Sequence, residues 1–231
     1  MTTAPAAVDR RQRRRLETIE EVVDVAAEVV AEQGAAGLSI GEVARRMGIK
    51  PPSLYGYFES KNAIYDALFA RGAQQVLEVM RPVMRAAADE QSLETALLTS
   101  GRTMIRWSIE HPAYAQLIFW RPVPGFEPSP AAYAPAIALM DESRQSFTVL
   151  QERGLIRSDI SVDVILRNWT ILVSGITTQQ LSNAPDEPFD TGTFTSALPD
   201  IVAMFATRYA APPAGRQPAS TTRKVRRADK R

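Results

Sequence analysis

The chain has 231 residues, of which 45% are hydrophobic and 23% charged, and its formal net charge at pH 7 is +1. That apolar share is ordinary for a globular protein and excludes a disordered or collagen-like chain; the length suffices for a core without covalent staples. Cysteine is absent and His111 is the single histidine. Disulfides, thiolate zinc sites, iron–sulfur clusters and a cysteine nucleophile are thereby excluded, and no cofactor is expected.

The near-neutral total hides a segregation of charge. Residues 1–85 hold 12 Lys/Arg against 11 Asp/Glu, residues 86–207 hold 7 against 14, and residues 208–231 hold 8 against 1. Five arginines, Arg10, Arg11, Arg13, Arg14 and Arg15, precede the first apolar repeat. Such clusters attract polyanions, nucleic acid first; a solvated end is the alternative for the tail with Arg223, Lys224, Arg226, Arg227, Lys230 and Arg231. No apolar stretch follows the arginines, so no secretory signal is expected. No apolar run approaches the ~20 residues that span a bilayer. A cytoplasmic location without membrane contact is the expectation.

Helical periodicity dominates the chain order. Leu16, Ile19, Val22, Val23, Ala26, Val29 and Val30 recur at spacings of three and four, which predicts an amphipathic helix ending near Gly34. Ser39 and Glu42 form a capping-box pattern for a short second helix that Gly48 ends. Pro51 and Pro52 suit the first turn of a third helix, predicted over about 51–57. Ser60 reads as the N-cap of a fourth, with Ile64, Leu68, Val76 and Met80 inward, reaching about Ala87. Leu93 to Ile109 predicts a helix stopped by Pro112, and 113–120 a short apolar one. The prolines of 121–130 make a loop. Tyr133, Ile137, Met140, Phe147 and Leu150 predict a long helix ended at Gly154. Ser161 caps the next, with Val164, Ile165, Leu166, Trp169, Leu172, Val173 and Ile176 inside. A last helix is predicted over about 192–210, with Pro199 either kinking it or marking its true start. No strand is expected.

The fold class expected is therefore all-α, with about nine helices. Residues 1–9 read as a disordered start, 10–60 as a helix-turn-helix domain, 61–87 as a connector helix, 88–211 as a helical regulatory and dimerisation domain, and 212–231 as a disordered basic tail.

Function is concentrated in the stretch GAAGLSIGEVARRMGIKPPSLYGYFESKNAIYDAL, residues 34–68. Leu54 and Phe58 lie four apart and can face a three-helix core. Ser53, Tyr55, Gly56 and Tyr57 are left outward, with Lys50 ahead of them. A short helix carrying hydroxyls and a leading cation suits the major groove. Tyrosine and serine hydroxyls bond phosphates or base edges, and Lys50 and Lys61 supply charge-assisted phosphate contacts. The bland alternative is that Tyr55 and Tyr57 are partly buried aromatics and Lys61 a solvated lysine.

On the residues Gly37-Leu38-Ser39, Val43-Ala44, Gly48-Ile49, Ser53-Leu54-Tyr55, Tyr57-Phe58 and Ser60-Lys61, residues 14–69 resemble the DNA-binding domain of the TetR family of transcriptional repressors. The remainder resembles that family in outline only. The resemblance implies that Ser39 touches a phosphate, that Lys50, Pro51 and Ser53 read bases and backbone, and that Tyr55, Tyr57 and Lys61 bind phosphates. Gly41 and Gly56 depart from members that carry base-reading side chains there. Recognition would then lean on Lys50, Ser53 and DNA shape. The resemblance further implies an operator of double-stranded DNA, palindromic and bound by a homodimer, with recognition helices about 34–36 Å apart. The dimer would form through the last two helices, those carrying Trp169, Ile176, Met204 and Phe205.

The C-terminal part is rich in residues able to enclose an apolar pocket for a small-molecule effector: Trp107, Phe119, Trp120 and Trp169, with Met104 and Met140 as adaptable walls. The resemblance implies that such a ligand shifts the fourth helix and changes the spacing of the recognition helices. The alternative is that these residues are ordinary core. His111, before Pro112, either caps carbonyls or senses ligand polarity. Arg102 and Arg106 either pair with an acid such as Glu110 or meet an anionic ligand. An enzyme acting through carboxylates such as Asp141 and Glu142 is a weak rival, since no catalytic constellation, phosphate loop or metal spacing is present. A DNA-binding regulator or activator without an effector is the stronger one. A cavity in the C-terminal part is what separates it from a ligand-responsive repressor.

Overall fold

Capping chemistry fixes most element boundaries in the computed structural model, which describes residues 10–212. Nine α-helices occur among these residues. The first, α1 (Arg10–Gly37), buries Val22, Val23, Ala26, Val29 and Val30. Gly34 breaks it with φ 73° and ψ 167°, as expected, but Ala35–Gly37 continue helically beyond the break. Helix α2 (Ile40–Arg46) begins at Ser39, whose hydroxyl accepts from the Glu42 amide at 3.1 Å. Gly48, at φ 68°, ends it: the amides of Gly48 and Ile49 bond the carbonyls of Arg45 and Ala44. That left-handed stop is a position where a side chain would be strained.

Helix α3 (Pro51–Leu54) has four residues and stops short of the expected Tyr57. The amides of Tyr57 and Phe58 both turn back to the Leu54 carbonyl at 2.9 Å, which swings Phe58 into the core. Helix α4 (Lys61–Ala86) is capped by Ser60 and buries Ile64, Leu68, Val76 and Met80. Then follow α5 (Leu93–Glu110), α6 (Pro112–Trp120), α7 (Pro130–Glu152), α8 (Val162–Asn183) and α9 (Leu198–Tyr209). Serine hydroxyls cap α5, α7 and α8 through Ser92, Ser129 and Ser161. Gly154, at φ 74°, stops α7. Pro199 marks a start: α9 begins at Leu198, after one short 3-10 turn, and not near Gly192.

Two apolar cores result. The first joins α1–α4 to α6, through Ala113, Tyr114 and Leu117, and to Ala132 of α7. The second unites α5, the end of α7, α8 and α9 around Ile105, Leu150, Ile165, Trp169 and Val202. Helix α4 packs most extensively on α7. Gly72 lets it approach α6, since a Cβ there would lie 2.7 Å from the Tyr114 Cβ. Ion pairs brace α4: Arg71 meets Glu20 and Asp24 of α1, and Arg81 holds Glu142 of α7 at 2.7 Å. The α8–α9 loop is organised by fully buried Gln180. Its Oε1 accepts from the amides of Phe194 and Thr195, and its Nε2 donates to the Ala184 carbonyl.

On α7 the outcome departs from the periodicity. Phe147 and Leu150 are buried, but Tyr133, Ile137 and Met140 are exposed. The first half of α7, apolar on all sides up to Met140, does not announce which stripe faces in.

Candidate nucleic-acid interface and ligand cavity

Helices α2 and α3 with the turn after α3 present one polar surface. Ser39, Lys50, Pro51, Ser53, Tyr55 and Gly56 are exposed, while Leu54 and Phe58 anchor the segment from beneath. Tyr55 leaves 56% of its surface in solvent, so its hydroxyl is free to meet a ligand. Tyr57 and Lys61 are half-buried. The Lys61 ammonium lies 5.4 Å from the centre of the Tyr65 ring. The Tyr65 hydroxyl donates to the Ala35 carbonyl at 2.5 Å, fixing α4 against the end of α1.

Charge on this surface is partly spent internally. Glu42 accepts from Arg45 and from Arg46, which hold its carboxyl down at about 2, well below its ordinary 4.5. Ser39 and Glu42 therefore make half a capping box: the serine caps, and the glutamate serves the arginines. Arg46 also grips Glu32 of α1, whose carboxyl it lowers. Arg15 of α1 donates to the Gly56 carbonyl at 2.8 Å and places its guanidinium 5.3 Å from the centre of the Tyr57 ring. This clamp on the recognition turn went unread in the sequence, because its partners lie about forty residues along the chain.

A cavity of about 320 Å³ lies between α4, α5, α6, α7 and α8. Its wall includes Phe69, Val76 and Met80 of α4, Leu97, Met104 and Trp107 of α5, and Phe119 of α6. Leu139, Met140 and Phe147 of α7 and Trp169 and Val173 of α8 complete it. Hydroxyls of Ser100, Ser143, Ser146, Thr170 and Ser174 are the polar notes, and no charged side chain lines it. Several hydroxyls are already engaged: Ser143 donates to the Leu139 carbonyl and Thr170 to that of Leu166. The Trp107 indole N–H is buried without a partner.

Residues 22–68 match the model of the bacterial regulatory proteins of the tetR family. By this segment the chain is similar to the TetR family of regulators. The HTH-type transcriptional regulator YobS of Bacillus subtilis (strain 168) is 29% identical over 97 residues, covering 42% of this chain and 49% of its own. Tetracycline repressor protein class D from Escherichia coli is 41% identical over 49 residues, 21% of this chain and 22% of that repressor. The chain thus spans about half the length, or less, of these curated relatives. Likeness of fold reaches further. A TetR family transcription regulator from Marinobacter aquaeolei VT8 matches with a TM-score of 0.62 at 16% identity, covering 87% of this chain and 99% of that one.

Against the TetR-type frame, the structure gathers Ser39, Lys50, Pro51, Ser53, Tyr55, Gly56, Tyr57 and Lys61 around α2, α3 and the start of α4. Met104, Trp107, Phe119, Met140 and Trp169 line the cavity. Trp120 does not: its indole N–H donates to the Thr178 hydroxyl at 2.9 Å, tying α6 to α8 outside the cavity wall. Trp169, Ile176 and Phe205 are buried within the single chain, whereas Met204 and Ile171 are exposed on α9 and α8. His111 lies between the Trp107 and Tyr114 rings, and Arg106 pairs with Asp190 and not with Glu110. The basic tail and residues 1–9 lie outside the described residues. Among those described, no helix is long and apolar enough to cross a membrane.

Proposed function

We propose that this protein is a TetR-like transcriptional regulator, and not an enzyme, acting as a repressor that binds a palindromic operator as a homodimer. Ser39, Tyr55, Tyr57 and Lys61 hold phosphates, and Lys50, Pro51 and Ser53 approach the bases, with Gly56 and Gly41 allowing close backbone approach. Helices α8 and α9 pair with their symmetry mates, which covers the exposed Ile171 and Met204. The observation that carries the regulatory part is the cavity. Its wall joins α4, which begins in the DNA-binding segment, to α5–α8, and it holds no charge. A neutral, largely apolar small molecule suits it, because an ion there would lose its hydration without a partner. A ligand that fits one position of α4 and α7 better than another shifts DNA affinity by that difference.

The test is binding to the DNA upstream of the protein's own gene, titrated with salt and random-sequence competitor. Retention against competitor supports a specific regulator, and small apolar compounds are then screened for release. Equal binding to all sequences, with selection from random DNA enriching nothing, overturns the reading. A monomer at micromolar concentration with operator present overturns the dimer.

A further inference from the structure

The first turns of α1 carry a charge arrangement that is unfavourable for a free helix. Arg10, Arg11, Arg13, Arg14 and Arg15 crowd there, with no acidic residue in the first turn. A helix N-terminus bears partial positive charge and favours carboxylates. Arg10 with Arg14, and Arg11 with Arg15, are like charges four residues apart, which repel. Nearby arginines are neutralised: Arg45 and Arg46 by Glu42 and Glu32, Arg71 by Glu20 and Asp24. At the start of α1, only Arg13 faces a carboxylate among the described residues, Glu17 at 3.8 Å, and both are well exposed. Arg15 is committed to Gly56 and Tyr57.

Arg10, Arg11, Arg14 and Arg15 line one open groove together with Thr18 and Tyr57. Tyr57 belongs to the recognition turn, so the arginines extend the α2–α3 surface without interruption. Within that surface Lys50 and Lys61 are the cations without a carboxylate partner among the described residues. The groove therefore more than doubles the unpaired charge available to a polyanion. Packing does not account for it, since the first twelve helical residues before Val22 bury no side chain fully.

We propose that this groove seats the phosphodiester backbone of the bound duplex beside the stretch that α3 faces, with Arg10, Arg11 and Arg14 each neutralising a phosphate. The inference rests on the DNA-binding reading above and adds a second contact region to it, outside residues 22–68. Phosphate neutralisation offsets the repulsion that the free helix carries and contributes affinity without reading sequence.

The experiment compares the wild-type chain with Arg10→Ala/Arg11→Ala/Arg14→Ala and Arg10→Lys/Arg11→Lys/Arg14→Lys. Each is bound to a random-sequence duplex, and to one recovered by selection with the wild type, between about 50 and 200 mM salt. Each phosphate contact contributes about 0.9 to the slope of log affinity against log salt, so the alanine variant loses about 2.7 per protomer. The lysine variant keeps the slope, because charge alone is needed. The selected sequence stays the same for all three. An unchanged slope in the alanine variant overturns the inference while leaving the regulator reading intact. Loss of slope in the lysine variant, with altered sequence preference, also overturns it, since the arginines would then read bases. Failure of the wild type to bind either duplex sinks both readings.

Discussion

Asp66 of α4 receives the start of α7: its carboxylate accepts from the Ser129 amide at 2.6 Å and from the Ser129 hydroxyl at 2.8 Å. Ser129 in turn caps α7 by accepting from the Ala132 amide. One carboxylate thus joins the helix that leaves the DNA-binding segment to the helix that walls the cavity. Asp66→Ala removes both bonds and should cost about 1–2 kcal/mol, reduced from the full value of a charged hydrogen bond because the site is half-buried. Asp66→Asn keeps one acceptor and should cost less. Urea denaturation of the two variants checks the order; equal losses would mean that a neutral acceptor of the same shape cannot replace the carboxylate.

The α4–α6 contact makes a sharper demand. At Gly72 an added Cβ would meet the Tyr114 Cβ at 2.7 Å and Cγ at 3.0 Å. Gly72→Ala gains helix propensity and is nonetheless expected to destabilise by about 1–3 kcal/mol, since overpacking outweighs the propensity gain. Removing the partner atom, as in Gly72→Ala/Tyr114→Gly, should show coupling, with the double variant losing less than the sum of the singles. Strict additivity in denaturation would contradict this contact.

Tyr55 exposes its ring and its hydroxyl has no hydrogen-bond partner in the chain among the described residues. Tyr55→Phe should leave thermal stability unchanged within about 0.5 kcal/mol. Operator affinity should fall about tenfold, the worth of one hydrogen bond to a charged acceptor. Lys61→Ala should weaken binding and lower the salt slope by about 0.9 per protomer. Retained affinity in salt-controlled titrations would remove either residue from the interface.

Acid should loosen the helix-turn-helix through Glu42. Hydrogen bonds from Arg45, then from Arg46, lower its carboxyl from 4.5 to about 2. A depressed folded value means that the unfolded chain takes up the proton first. The stabilisation is complete above 4.5 and fades as pH falls towards about 2. In Glu42→Gln this contribution is absent. The stability gap between wild type and variant should be constant near neutrality and shrink below pH 4.5. A gap independent of pH down to the acid limit would show that the carboxylate is not coupled to folding.

Much of the fold was legible because helix boundaries are set within a few residues. Ser39, Ser60 and Ser161 cap by bonding an amide three positions on. Gly48 and Gly154 supply the left-handed backbone that stops α2 and α7, and Gly34 the positive φ that breaks α1. The same locality explains why the residues of α2 and α3 could be placed on one surface before any packing was known. The four-residue length of α3 is not legible locally, because its end depends on Phe58 reaching a core that neighbouring helices create.

The sequence by itself determined an all-helical chain, its caps and stops, and the spaced residues of a TetR-type DNA-binding segment. Tertiary structure alone decided that Arg15 clamps Gly56, that Trp120 bonds Thr178 in place of lining the cavity, and that Ile137 of α7 stays exposed. Those outcomes join residues 41 and 58 positions apart, or depend on which stripe of a helix a neighbour covers. Periodicity fixes that a stripe exists, whereas the partner that buries it is chosen by how whole helices pack.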